Sequence, residues 1–143
     1  MHKGSCLCGS IRYELSAELG DFGYCHCKSC RKASGSAHAA NAPIDRAHLH
    51  LTDESGTLRE YQSSPGKFRA FCSRCGSTVP NVLRETPYFW IPLGLLDAEL
   101  SMECIGDFCT DDAMPWDEQR SEKSHCAAPE SLGFLLHELQ VNA

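Results

Sequence analysis

Cys72-Ser73-Arg74-Cys75-Gly76 decides how the chain is read. A C-x2-C turn folds two thiolates onto one side, as zinc ribbons and knuckles require. Gly76, directly after the second cysteine, permits the left-handed turn that lets backbone N–H groups point at sulfur. Such a turn supplies only half of the tetrahedral set that zinc takes, so a partner pair must come from elsewhere.

Working outward, Cys6-Leu7-Cys8-Gly9 is the best supplier. In an extended segment residues i and i+2 share a face, so C-x-C can present both sulfurs together, and a glycine again follows. Cys6, Cys8, Cys72 and Cys75 are therefore expected to form a closed four-cysteine site joining the first strand to a late hairpin. Closing so long a loop with metal restricts the unfolded chain.

Between these lies Cys25-His26-Cys27-Lys28-Ser29-Cys30. Cys25 and Cys27 share a face by the strand rule, and Cys27 and Cys30 form a second C-x2-C turn. Three protein ligands with an open fourth position is the pattern of a catalytic zinc. A second closed site stands as the alternative, its fourth ligand coming from Cys104, Cys109, Cys126 or a histidine. An oxidised C-x2-C pair is a further alternative. The expected content is two zinc ions per chain.

Ten cysteines in 143 residues mean either a disulfide framework or metal. Met1-His2-Lys3-Gly4-Ser5 has no apolar h-region, and no apolar run is long enough for a bilayer. The expectation is a reducing cytoplasm, where paired cysteines bind metal more often than they oxidise, and no membrane partner. The net charge of −6, with no basic run, argues against binding a phosphate backbone, so no nucleic acid partner is expected.

Ile11, Tyr13 and Leu15 alternate as a strand, and Phe22 to Cys27 reads as extended. Ser29 to Ser34 suits a helical turn stopped at Gly35. His48-Leu49-His50-Leu51 alternates, as do Leu58, Tyr61 and the segment from Lys67 to Phe71, with a tight turn at Ser63-Ser64-Pro65-Gly66. Tyr88-Phe89-Trp90-Ile91 reads as a buried strand, ended by Pro92. Thr110 to His125 reads as loop. Leu132, Leu135, Leu136 and Leu139 fall at helical spacing, so Pro129 to Val141 is expected to be an amphipathic helix packed on the core. The fold class is mainly β with short helical turns and a C-terminal helix, and 1–143 is expected to be a single domain.

Other residues take ordinary readings. Cys104, Cys109 and Cys126 read as small apolar fillers or ordinary thiols. His26, between two ligands in an extended chain, should point away from the metal. His48 and His50 read as surface residues, and Trp90 and Trp116 as packing.

The order C-x-C-G, then C-H-C-x2-C-R, then S-S-P-G-x2-R-x-F-C-x2-C-G-S resembles the glutathione-dependent formaldehyde-activating enzyme family, which also includes centromere protein V. The likeness runs from about residue 4 to 116, with Leu95-Leu96-Asp97 and Met114-Pro115-Trp116 as weaker marks; 117–143 is an extension outside it. The resemblance implies a small β-tent fold with two zinc ions. It implies that Cys6, Cys8, Cys72 and Cys75 hold a structural zinc, and that Cys25, Cys27 and Cys30 hold the active-site zinc. It further implies a carbon–sulfur lyase-type activity on a thiol adduct of a small aldehyde, with glutathione as the partner thiol and S-hydroxymethylglutathione as the adduct.

Charge restricts the chemistry of the three-cysteine site. Zinc with three thiolates is net negative, hence a weaker Lewis acid than zinc with three imidazoles, but suited to a soft sulfur ligand. Lys28, Arg31 and Arg69 are the nearest cations and could receive a substrate carboxylate, although offsetting the thiolate charge is their ordinary reading. Two function classes follow: an enzyme acting on a thiol adduct, or a zinc-stabilised binding module without turnover.

Overall fold

The computed structural model describes residues 1–118, 124–125 and 137 of the chain. Ile11, Tyr13 and Leu15 alternate as a half-buried strand should, and all three are buried. The last two lie in β2 (Arg12–Leu15), which pairs antiparallel with β1 (His2–Ser5) on one edge and with β5 (Leu49–Thr52) on the other. β5 starts at Leu49 rather than His48. The Asp45 carboxylate accepts a hydrogen bond from the Ala47 N–H and holds Arg46–His48 in a 3-10 turn.

A six-stranded mixed sheet carries the middle and end of the described chain. Its order is β11 (Ser124–His125), β10 (Cys104–Phe108), β3 (Phe22–Cys25), β4 (Ala39–Asp45), β9 (Tyr88–Pro92) and β8 (Asn81–Val82). β10 runs parallel to both β3 and β11; the other pairs are antiparallel. A separate hairpin joins β6 (Leu58–Ser64) to β7 (Lys67–Cys72) through Pro65 and Gly66, with Gly66 at φ 74°. Helix α1 (Lys28–Ser34) ends where Gly35 turns left-handed and its N–H donates to the Arg31 carbonyl.

Two apolar clusters hold these pieces together. Tyr13, Leu15, Ile44 and Ile91 join the three-stranded sheet to the face of the larger one. Cys6, Ile11, Ala70, Cys72 and Val79 join it to the hairpin. The second cluster contains two of the expected metal ligands, so the apolar packing and the cysteine cluster occupy the same ground.

Mainly β architecture is as expected, with three differences in detail. The span from Thr110 to His125 is not all loop: Thr110–Asp112 forms a 3-10 turn, and Ser124–His125 adds a strand to the large sheet. The strand at Tyr88 is β9, but only Ile91 and Pro92 are buried in it; Tyr88, Phe89 and Trp90 are half-buried. β1, β4, β8 and β10 are strands that apolar alternation does not mark. The helix expected over 129–141 falls, but for residue 137, outside the described residues, as does Cys126.

Gly4 sits opposite Tyr13 in the β1–β2 pair, where Tyr13 ring atoms and the Leu95 carbonyl fill the space a Cβ would need. Tyr13 is itself buried and cannot swing aside without disturbing its cluster. Gly4→Ala is expected to cost about 1–3 kcal/mol by overpacking. A thermal melt reads this directly, and an unchanged midpoint would show that the Tyr13 ring yields freely.

Candidate metal centres

The first centre forms where the β1–β2 turn meets the end of β7. Gly9 and Gly76 follow their cysteine pairs at φ 79° and 78°. Their N–H groups donate to the Cys6 and Cys72 carbonyls, closing two matching turns. The sulfurs of Cys6, Cys8, Cys72 and Cys75 all lie within 4.8 Å of one another. Cys6 and Cys8 Sγ are 3.6 Å apart, and Cys8 and Cys72 Sγ 3.8 Å. Tetrahedral zinc with bonds of about 2.3 Å requires sulfurs about 3.8 Å apart, so the set fits the ion. All four cysteines are free of disulfides.

Each sulfur in this centre has a polar neighbour. Ile11 donates its N–H to Cys6 Sγ at 3.3 Å. Hydroxyl oxygens of Ser10, Thr57 and Ser77 lie 3.2, 3.5 and 3.3 Å from Cys8, Cys72 and Cys75 Sγ. Thr57 is fixed in turn by Asp53, whose carboxylate accepts from the Thr57 N–H and hydroxyl and the Leu58 N–H. The Ser77 hydroxyl and its N–H hold the Cys75 thiol down to about 5. Burial pushes Cys6 the other way. Sequence reasoning missed Ser10, Thr57 and Ser77, although Ser10 and Ser77 each stand two residues beyond a ligand.

The second centre spans the end of β3 and the start of α1. Cys27 caps the helix, accepting from the Cys30 N–H at 3.4 Å. Cys25, Cys27 and Cys30 bring their sulfurs within 4.8 Å of one another, and all are half-buried. The Arg69 guanidinium on β7 donates to Cys30 Sγ at 3.9 Å. Hydrogen bonds from the Cys25 and Cys30 thiols pull Cys27 well below the ordinary thiol range, with Arg69 adding its field. The hydrogen bonds Cys25 makes to Cys27 and Cys30 push its own thiol far up. Both cysteine clusters can hold a metal ion.

Cys109 also lies close to this trio. It follows the Phe108–Cys25 pairing of β10 and β3, and its thiol hydrogen-bonds to Cys25 while burial pushes it up. The filler reading therefore understates Cys109. Cys104 fits that reading, half-buried with its thiol donating to the Gly106 carbonyl.

His26 points away from the sulfurs, as expected of the middle residue in C-x-C. It is 1% exposed, with Nε2 2.7 Å from Asp107 Oδ1 and Nδ1 2.8 Å from Asp117 Oδ2. His38 stacks on Tyr24 at 4.0 Å and meets the His26 ring edge-on at 5.2 Å. His48 contacts Ser16 on the surface and His50 is exposed, as expected. Trp116 is 66% exposed, so the packing expected of it is not seen.

A groove of about 590 Å³ opens between α1 and the β6–β7 hairpin; none of the three cysteines lines it. Lys28, Lys32 and Arg69 line it with Tyr61, Ser63 and Phe71, and among the described residues no acidic one does. Arg31 is not part of that lining. In a chain of net charge −6 this is a locally cationic surface. Among the described residues no helix is long and apolar enough to cross a membrane.

Residues 1–112 match the profile of a family described as glutathione-dependent formaldehyde-activating enzyme. An uncharacterized lyase of Schizosaccharomyces pombe is 28% identical over 112 residues, covering 74% of this chain and 80% of that protein. A stretch of 57 residues is 44% identical to part of human insulin receptor substrate 2 but spans 4% of that protein, so none of its role carries over. A crystal structure of a Rhodobacter sphaeroides protein superposes with a TM-score of 0.59 at 24% identity, covering 73% of this chain and 98% of that one; it bears on the fold alone.

Proposed function

The chain belongs to the glutathione-dependent formaldehyde-activating enzyme family, and from that membership we propose that it is a zinc-dependent carbon–sulfur lyase-type enzyme acting on the thiol adduct of a small aldehyde. Two zinc ions per chain are assigned, one structural at Cys6, Cys8, Cys72 and Cys75, one at Cys25, Cys27 and Cys30. The observation that carries the reading is the trio of convergent thiols, linked by Arg69 to a cationic groove.

A metal held by this soft donor set favours sulfur over hard oxygen ligands and keeps a bound thiol deprotonated at neutral pH. The chain's own residues do the rest. Lys28, Lys32 and Arg69 can receive the carboxylates of a thiol such as glutathione, which fixes the position of its sulfur. Arg69 touches both places: it lines the groove and donates to Cys30 Sγ, so an anion bound to it lies next to the trio. Tyr61 and Phe71 supply apolar walls. In the addition direction a carbon–sulfur bond forms between thiolate and carbonyl carbon, and the aldehyde oxygen takes a proton. In reverse that bond breaks and the sulfur leaves as thiolate.

Thiols add to formaldehyde without help, so net product formation is a poor readout. Exchange between free and hydroxymethylated thiol, followed at equilibrium by NMR, is the suitable one. Catalytic amounts of protein are expected to speed exchange, more for glutathione than for a neutral thiol of similar reactivity. Lys28→Gln together with Lys32→Gln should raise KM for glutathione about tenfold, the loss expected of a charge-assisted contact, and leave the neutral thiol unaffected. No acceleration with any thiol would end the enzyme reading.

A further inference from the structure

His26 is held at three points, and all three act on the residue between two proposed ligands. Its N–H donates to the Phe108 carbonyl at 2.9 Å. Its ring meets Asp107 through Nε2 at 2.7 Å. On the other side Nδ1 lies 2.8 Å from Asp117 Oδ2, at ion-pair rather than hydrogen-bond geometry. His26 and Asp107 are each 1% exposed, and the Asp117 side chain 11%. Three ionisable side chains in one dry place are costly unless they answer one another.

The backbone arranges this meeting. β10 pairs with β3 in parallel, and the register shifts by one residue between Cys104 and Asp107. Such an irregularity re-aims side chains. Here it sets Asp107 beside Tyr24 and Phe108 beside Cys25, so Asp107 faces inward toward the His26 ring. Asp117 reaches the same ring from the segment after the Thr110–Asp112 turn.

We propose that Asp107, His26 and Asp117 form a positioning device for the second metal centre. They clamp the peptide that carries Cys25 and Cys27, so that both sulfurs converge with Cys30 before a metal arrives. None of the three is a ligand, and none touches the groove that takes the thiol. The inference rests on the reading that Cys25, Cys27 and Cys30 bind metal. Groups that orient metal ligands change metal affinity by about 10- to 100-fold when removed. The effect should be confined to the second centre, because the first is built from other elements.

The test loads full-length wild type, Asp107→Asn, Asp117→Ala and Asp117→Glu with Co2+ and follows release to a chromogenic chelator. Absorption bands of cobalt–thiolate sites and thermal melts are recorded alongside. Wild type should release metal in two phases. In Asp117→Ala the faster phase should accelerate at least tenfold and its cobalt bands shift, while the slower phase and the melting temperature stay close to wild type. Asp117→Glu, which keeps the carboxylate, should recover part of the loss. Asp107→Asn should act in the same direction; if that buried change prevents folding, the two Asp117 variants decide the matter. Two bound metals with unaltered release and bands in the Asp117 variants would overturn the clamp alone. So would equal acceleration of both phases with a lowered melt, which marks a merely structural role. Uptake of one metal by wild type would overturn the metal reading of the trio, and the clamp with it.

Discussion

Cys75→Ser is expected to unfold the chain, while Cys27→Ser leaves it largely folded. The two substitutions are chemically the same, so the contrast comes from what each centre joins. The first centre ties the β1–β2 turn to the end of β7, and Cys6 and Cys72 lie inside an apolar cluster with Ile11, Ala70 and Val79. A structural zinc site of this kind contributes about 10–16 kcal/mol of apparent binding energy, against roughly 5–15 kcal/mol for the whole stability of a typical domain. Losing one of the four sulfurs therefore weakens a term comparable with the total, at a site whose cysteines are also part of the core. The second centre joins β3 to α1, a helix that buries no residue. Its loss frees a surface turn. Thermal melts with metal analysis compare them: two zinc per chain in wild type, one in Cys27→Ser with a shift of a few degrees, and aggregation or a featureless melt for Cys75→Ser. Equal destabilisation would mean that the second centre is structural too.

Exchange catalysis should fall to background in Cys30→Ser. Metal polarisation and thiolate stabilisation contribute several kcal/mol to such chemistry, and each 1.36 kcal/mol is tenfold, so the expected loss is on the order of 10³-fold. Cys104→Ser is the control. That thiol is half-buried outside both clusters and donates to a carbonyl of its own strand, so its removal should leave exchange unchanged. Full exchange by Cys30→Ser protein carrying a single metal would place the chemistry elsewhere.

Much of this was legible in the chain because cysteine pairs and glycines act locally. Spacing alone divides the seven proposed ligands into the two groups whose sulfurs converge, and Gly35 and Gly66 mark real turns. Contacts that depend on distant partners were not legible. β10 reads Cys104-Ile105-Gly106-Asp107-Phe108, with a glycine and a buried carboxylate where a strand pattern wants apolar alternation. It becomes a strand through its pairing with β3, and Asp107 tolerates burial through a histidine 81 positions away. β4 hid behind Pro43, which cannot donate to a ladder. The structure allows it because β3 pairs only with Ala39 to Asn41, leaving one side of β4 unpaired by β3 at Pro43. The alternation rule turned His26 away from the sulfurs correctly but could not say what it faced.

Strand β7 serves both centres at once. Its inward face brings Cys72 to the first cluster, and its outward face brings Arg69 to Cys30 and the groove. One short piece of backbone therefore places a residue in each site, and any coupling it carries is reciprocal. By reciprocity, whatever factor the first metal adds to the affinity of an anion on Arg69, that anion adds to the affinity of the first metal. A thiol that tightened the hold on that ion would itself be held more tightly by the same factor, although the two never touch.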